Sequence, residues 1–247
     1  MYAGYSQGTT AMFASMSDVA TSRFIQDRTV KMFMFAPVVF LTHVGSELLA
    51  FAAKFKSLVG GVAAGLGLYE FAPSDCSESD IWKKLLEAVC DLDPKICEVV
   101  PGWAGTQVNP VTDTFFDKKD QILAHVPAGT TLRVIEHYGQ LVAMNEKKYG
   151  PRFQKFDFGF FENIRRYGTH TAPFYDLNLI GDIDIVFMSG EKDQLGNEAD
   201  VSSLVAAIQN GKNPLYIHKG FDHLTFAMMR DPQVVFAQLD SELKDFN

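Results

Sequence analysis

The sequence predicts an α/β fold, a mostly parallel sheet with flanking helices, interrupted by a large helical insertion. Three observations predict it. A continuous apolar run, not an alternating one, marks a strand covered on both faces, as in Lys31 to Leu41. Strand and helix patterns alternate from Asp176 to the carboxyl end, the spacing of right-handed crossovers between parallel strands. Between them, from about His43 to Tyr175, helical patches are joined by Gly, Pro and Asp clusters. The expected organisation is therefore a first core segment over residues 1–42, an insertion over 43–175, and a closing core segment over 176–247.

Taken in order, residues 1–8 read as a tight, Gly-flanked turn, followed by a helix from Thr9 to Ala20 that ends near Ser22. Lys31 to Leu41 is a buried strand ended at Pro37, which cannot donate to a ladder. In the insertion, Glu47 to Leu58 places Leu48, Phe51, Ala52 and Phe55 on one helical stripe. Ser79 to Cys90 is a second helix, with Asp80 near its positive end and Ile81, Leu85, Leu86 and Val89 sharing a face. Leu132 to Met144 is a third, carrying Ile135, Tyr138, Leu141 and Val142. Residues 145–168 are basic and aromatic, with Phe153, Phe156, Phe158, Phe160 and Phe161. A strand over Ile183 to Met188, a helix over Glu198 to Gln209, a strand over Leu215 to His218 and a helix over Pro232 to Phe246 follow, the last with Asp231 as N-cap.

Composition narrows the function. The 247 residues, 47% hydrophobic and 21% charged, suit one large globular domain or two small ones. Twenty-two basic against 30 acidic residues leave a net charge of −8, which lacks the positive field that nucleic acid requires. A neutral partner fits better. The 21 Phe residues supply much aromatic surface to bury or to use. Cys76, Cys90 and Cys97 are odd in number and form no CxxC, so they read neither as a metal site nor as a disulfide framework; one bridge or full reduction both remain open. No metal site is expected from them. Met1 to Gly4 shows no secretory pattern, and the apolar runs Met32 to Leu41 and Leu58 to Leu68 are too short to span a bilayer.

The chemistry begins at Gly4-Tyr5-Ser6-Gln7-Gly8, a match to G-x-S-x-G. This pattern puts a serine on a strained strand-to-helix turn, with small residues two before and two after it. The hydroxyl then projects at a helix N-terminus, and the amide of Gln7 is a candidate oxyanion donor. Such a pentapeptide arises by chance in roughly one chain of this length in ten, so it needs partners. A serine nucleophile needs a histidine base and an acid to orient it, in the chain order Ser, acid, His for this kind of fold. Asp193 lies just past the strand ending at Met188, in Ser189-Gly190-Glu191-Lys192-Asp193, with Glu191 and Asp200 as rival acids. Of the six histidines, His43, His125, His137 and His170 fall in the insertion and His218 within a strand. His223 lies in the loop between the last strand and the last helix, the position a base requires.

At these residues the chain resembles the acid lipase family of gastric and lysosomal lipases, within the α/β-hydrolase superfamily. Gly4-Tyr5-Ser6-Gln7-Gly8-Thr9-Thr10 looks like its G-H-S-Q-G-T-T, and Phe35-Ala36-Pro37-Val38 like its A-P-V strand end. His125-Val126-Pro127-Ala128-Gly129-Thr130-Thr131 resembles its P-A-G-T-S, and Phe156-Asp157-Phe158-Gly159 its F-D-W/Y-G. Ala172-Pro173-Phe174-Tyr175-Asp176-Leu177 resembles P-P-x-Y-x-L, the Ser189 to Asp193 segment its acid loop, and Asp222-His223-Leu224-Thr225-Phe226 its N-H-L-D-F. The blocks keep the family's order over nearly the whole chain.

The resemblance implies Ser6 as nucleophile, Asp193 as acid and His223 as base. It also implies a helical lid over an acyl pocket, and hydrolysis of triacylglycerols or steryl esters without a cofactor, with transient contact with lipid surfaces. A secreted or lysosomal location is implied for a full-length form. Tyr5 stands where the family has His, and Thr225 where it has Asp. Only Met1-Tyr2-Ala3 precede the elbow, so the family's earlier strands and the loop carrying its second oxyanion donor are expected to lie outside this chain, as in an N-terminally truncated lipase. Loss of that donor would remove about 3–4 kcal/mol of transition-state stabilisation.

Overall fold

The computed structural model describes residues 1–45, 70–71, 113–114, 117–118, 121–122, 129–144, 150–208 and 211–244. Its centre is a four-stranded, fully parallel sheet in the order β1-β2-β5-β6, formed by β1 (Tyr2–Tyr5), β2 (Lys31–Phe35), β5 (Asp184–Gly190) and β6 (Leu215–His218).

β1 corrects the sequence reading, which made residues 1–8 a turn. Tyr2 to Tyr5 pair in register with Met32 to Phe35, so a partner distant in sequence supplies the ladder that four residues could not specify alone. Helix α1 (Gln7–Met16) starts two residues earlier than predicted and stops earlier. It ends where Ser17 N–H closes onto the Phe13 carbonyl, and the Asp18 carboxylate turns the chain by accepting the Ala20 N–H. A second short helix, α2 (Ser22–Gln26), then leads to β2. β2 stops before Pro37, as its missing N–H requires.

The runs are continuous because both sheet faces are covered. Met32, Met34, Ile185 and Phe187 pack on one side with Phe13 and Met16 of α1. Phe33, Val186 and Met188 pack on the other with Phe221, Phe226 and Val235. Each fully buried side chain of this size contributes about 1.5–3 kcal/mol before entropy is subtracted. The sheet is further tied at its base by the buried Lys31, whose Nζ donates to the carbonyl of Glu242 at 2.6 Å and to its carboxylate at 3.0 Å.

Of the insertion, Glu70–Phe71 (β3) pairs antiparallel with Thr130–Thr131 (β4). Helix α3 (Leu132–Met144) has the predicted bounds and packs Tyr138, Leu141 and Val142 against the α1 side of the core. Helix α4 (Phe160–Tyr167) ends on Gly168 in the left-handed conformation. The predicted helices over Glu47 to Leu58 and Ser79 to Cys90, the three cysteines and His125 lie outside the described residues.

In the closing segment, α5 (Glu198–Ala207) is capped by the Asn197 side chain, which accepts the Ala199 N–H. After β6 come α6 (Thr225–Met228) and α7 (Gln233–Leu243). The N-cap position of α7 is Pro232, not Asp231, but the Asp231 carboxylate still accepts the Gln233 N–H at 3.0 Å. Among the described residues no helix is long and apolar enough to cross a membrane.

Candidate active site

The site forms at the carboxyl ends of the parallel strands. Ser6 sits between β1 and α1 with φ 50° and ψ −119°, a conformation that L-residues rarely adopt. Several bonds hold it there. Ser6 N–H donates to the Phe35 carbonyl at 3.0 Å, and the Ser6 carbonyl accepts from the Thr9 N–H and the Thr9 hydroxyl. Thr9 Oγ1 in turn accepts the Val38 N–H, while the Thr10 hydroxyl reaches the Val38 carbonyl and Tyr138. The elbow is thus bolted to the chain leaving β2.

The flanking glycines are not equivalent. A Cβ on Gly4 would lie 2.7 Å from the Tyr2 ring, whereas one on Gly8 would make only an ordinary contact at 3.5 Å. Gln7, whose amide is the candidate oxyanion donor, opens α1, so its N–H has no acceptor one turn back.

Asp193 lies on the loop after β5 and is 2% exposed. Its Oδ1 accepts the N–H groups of Leu195 and Gly196, both at 2.8 Å, and its Oδ2 lies 2.9 Å from His223 Nδ1. His223, 3% exposed, follows β6, and its Nε2 lies 2.7 Å from Ser6 Oγ. The tautomer consistent with both contacts carries its proton on Nδ1.

The Asp193 and His223 loops are stitched together by their backbones. Glu191 N–H donates to the His218 carbonyl and Lys192 N–H to the Phe221 carbonyl. Gly190 makes this approach possible, because a Cβ there would lie 2.3 Å from the Phe221 carbonyl oxygen.

The rival residues are engaged elsewhere. Glu191 accepts the Gly220 N–H at 2.9 Å. Asp200 binds both the main-chain N–H and the ring Nδ1 of His43. His137 bonds the Gln154 carbonyl, His170 stacks on Phe160, and His218 packs between Phe221 and Phe226.

Two neighbours carry contacts that no local sequence signal announces. The Tyr5 hydroxyl donates to the His223 carbonyl at 2.9 Å. Burial, and then the charges of Asp193, Asp222 and Asp113, push its phenol well above the usual range, so it stays a donor. Asp222 is buried beside His223, and its Oδ1 accepts both the N–H and the hydroxyl of Thr225 at 3.0 Å. Burial, followed by the nearby charge of Asp113, raises its carboxyl above the ordinary value.

A small cavity of about 160 Å³ adjoins the elbow, lined among others by Gln7, Thr10, Ala14, Tyr138, Leu141 and Phe153. Among the described residues no cluster of three or more His, Cys, Asp or Glu side chains could hold a metal ion.

A parallel sheet with a Gly-x-Ser-x-Gly turn on one strand, and an acid loop and a histidine loop after the next strands, is the α/β-hydrolase architecture. The chain's curated relatives are lipases. It is 26% identical to Lipase lipl-1 of Caenorhabditis elegans over 245 residues, covering 95% of this chain and 56% of that protein. It is 28% identical to the gastric triacylglycerol lipase of Bos taurus over 255 residues, covering 97% and 56%. The human Lipase member J matches at 28% over 216 residues, covering 85% and 53%. The chain thus spans a little over half the length of these relatives. No family model matches it. Among solved structures, a soluble variant of monoglyceride lipase from Saccharomyces cerevisiae aligns with a TM-score of 0.49 at 12% identity, over 98% of this chain and 60% of that one.

Proposed function

We propose that this chain carries the nucleophile, acid and base of a serine carboxylester hydrolase of the lipase type. The observation that carries the reading is the relay from Ser6 Oγ through His223 to Asp193, at 2.7 and 2.9 Å, with Ser6 at positive φ. Ser6 attacks the ester carbonyl while His223 Nε2 takes its proton. Asp193 holds the imidazole through Nδ1 and stabilises the imidazolium that forms. The Gln7 amide, aided by the start of α1, donates to the developing oxyanion. His223 then protonates the leaving alcohol, and an acyl-Ser6 remains. Water, deprotonated by the same imidazole, releases the fatty acid and restores the hydroxyl.

The substrate is proposed to be a neutral lipid ester, a triacylglycerol or steryl ester. The net charge of −8 and the names of the curated relatives support a neutral, apolar substrate. Residues 43–175 are proposed to form a lid region over the acyl chain. The small cavity beside Gln7, walled in part by Tyr138, Leu141 and Phe153, supports that placement. A secreted or lysosomal location of a full-length form is a further proposal, supported by the likeness to a gastric lipase.

The decisive experiment is labelling with a fluorophosphonate probe, which reacts only with an activated serine. Labelling of the folded chain that disappears in Ser6→Ala supports the enzyme. Absent labelling of folded chain would instead indicate a non-catalytic lipid-binding protein. A panel of p-nitrophenyl esters of increasing acyl length then separates a lipase from a short-chain esterase or a thioesterase.

A further inference from the structure

In the proposed cycle His223 repeatedly loses one of its two side-chain ties. Once Ser6 is acylated, its Oγ no longer has a proton to share with His223 Nε2. That nitrogen must then serve the leaving alcohol and, later, the attacking water. The imidazole has to stay within reach of both throughout, at separations where small displacements are costly. Asp193 holds the far nitrogen, but that one bond fixes Nδ1 and not the main chain of the residue.

The main chain of His223 has a tie of its own. The Tyr5 hydroxyl, 218 residues away in sequence, donates to its carbonyl oxygen at 2.9 Å. The Tyr5 ring also lies 5.4 Å from the imidazole, tilted by 31°. Tyr5 is the last residue of β1, and its position is set by pairing with Phe35 and by packing against the Phe33, Val186 and Phe226 side of the sheet. It immediately precedes Ser6. Nucleophile and base-holding phenol therefore belong to adjacent residues of one rigid turn.

We propose that Tyr5 is a positioning residue for His223, holding the base in register with the elbow through the steps in which the Ser6–His223 bond is absent. This rests on the serine-hydrolase reading above. The bond from Tyr5 is made to the main chain, so acylation and deacylation do not disturb it. Tyr5 touches neither substrate nor the reacting atoms; it acts through His223. The residue that replaces the family's histidine in the elbow thereby acquires a specific task.

The test is Tyr5→Phe, which deletes the hydroxyl and keeps the ring. With p-nitrophenyl butyrate, kcat is expected to fall about tenfold with no rise in KM, because orientation of the base is lost and not substrate binding. The rate of fluorophosphonate labelling should fall less than kcat, since that reaction starts with the Ser6–His223 bond in place. Tyr5→His keeps a ring and a donor but is too short to reach the carbonyl, and should fall with Tyr5→Phe. It also keeps the proposal testable if Tyr5→Phe does not fold. Parent-like kcat in either folded variant overturns the proposal, as does a loss expressed only in KM. If the parent itself neither labels nor turns over ester, the serine-hydrolase reading fails and the role of Tyr5 falls with it. Equal rates in parent and variant remove Tyr5 alone.

Discussion

Among the described residues there are two histidine–aspartate pairs with nearly the same contact. His223 Nδ1 lies 2.9 Å from Asp193, and His43 Nδ1 lies 2.9 Å from Asp200. Their settings differ. The His223 side chain is 4% exposed and its partner fully buried, whereas the His43 side chain is 43% exposed. At the other ring nitrogen, His223 meets the hydroxyl of Ser6. Asp200 also accepts the His43 main-chain N–H, so that pair closes a local clasp between the chain leaving β2 and the start of α5. The contact alone therefore does not define a reactive centre. A hydroxyl on the far nitrogen, and exclusion of water around the pair, separate a relay from a clasp.

The comparison is easiest to break at the imidazole itself. His223→Ala should abolish ester turnover, with a loss on the order of 10⁴-fold or more in kcat. Retention of most activity would remove His223 from the mechanism. Asp193→Asn should cost about 10³–10⁴-fold in kcat, because the amide no longer fixes the tautomer. Asp200→Asn should leave kcat near the parent value while lowering the melting temperature; steady-state kinetics and calorimetry on the two variants together decide whether the two acids differ in role.

Gly190→Ala forces a Cβ against the Phe221 carbonyl, with the two loops locked by backbone bonds on either side. A loss of about 1–3 kcal/mol in stability and a fall in kcat are expected, read by urea unfolding and ester turnover. Parent-like values in both would mean that the loops need not meet as described.

Asp222→Asn is a smaller perturbation with a sign. The folded-state pKa of Asp222 is raised, so its favourable contribution is present below the unfolded value and is lost as pH rises through the folded one. Above that pH the ionised carboxylate is a penalty. Asn keeps an oxygen for the Thr225 N–H and removes the charge. The variant should melt higher than the parent at pH 7, and the advantage should disappear as the pH falls below that of an ordinary carboxyl. A gain that persists or grows in acid would refute this account. The smallest effect is expected for His43→Ala: unchanged kcat, and about 0–1 kcal/mol of stability, since the ring is half exposed and the main-chain bond to Asp200 survives.

Much of this was legible in one dimension where the signal was local. The Phe and Met run of β2 read as a doubly covered strand because an interior sheet needs no polar face. The bounds of β6 matched the sequence pattern, with Pro214 before it and Gly220 shortly after. The strained serine was legible because few sequences other than Gly-x-Ser-x-Gly tolerate that turn. Chain order and loop placement point to Asp193 and His223 as candidate acid and base.

What the letters left open was decided by contacts between distant segments. Tyr2 to Tyr5 became a strand only because β2 offered it a partner. Glu191, Asp193 and Asp200 have the same chemistry and nearly the same address in sequence; which of them reaches the imidazole follows from how the loop after β5 folds back across Gly190 onto Phe221. The bond from Tyr5 to His223 spans 218 residues and leaves no periodicity or motif behind it. Local backbone preference is written in neighbouring residues, whereas the pairing of side chains depends on where whole strands come to lie, and that is settled only when the sheet assembles.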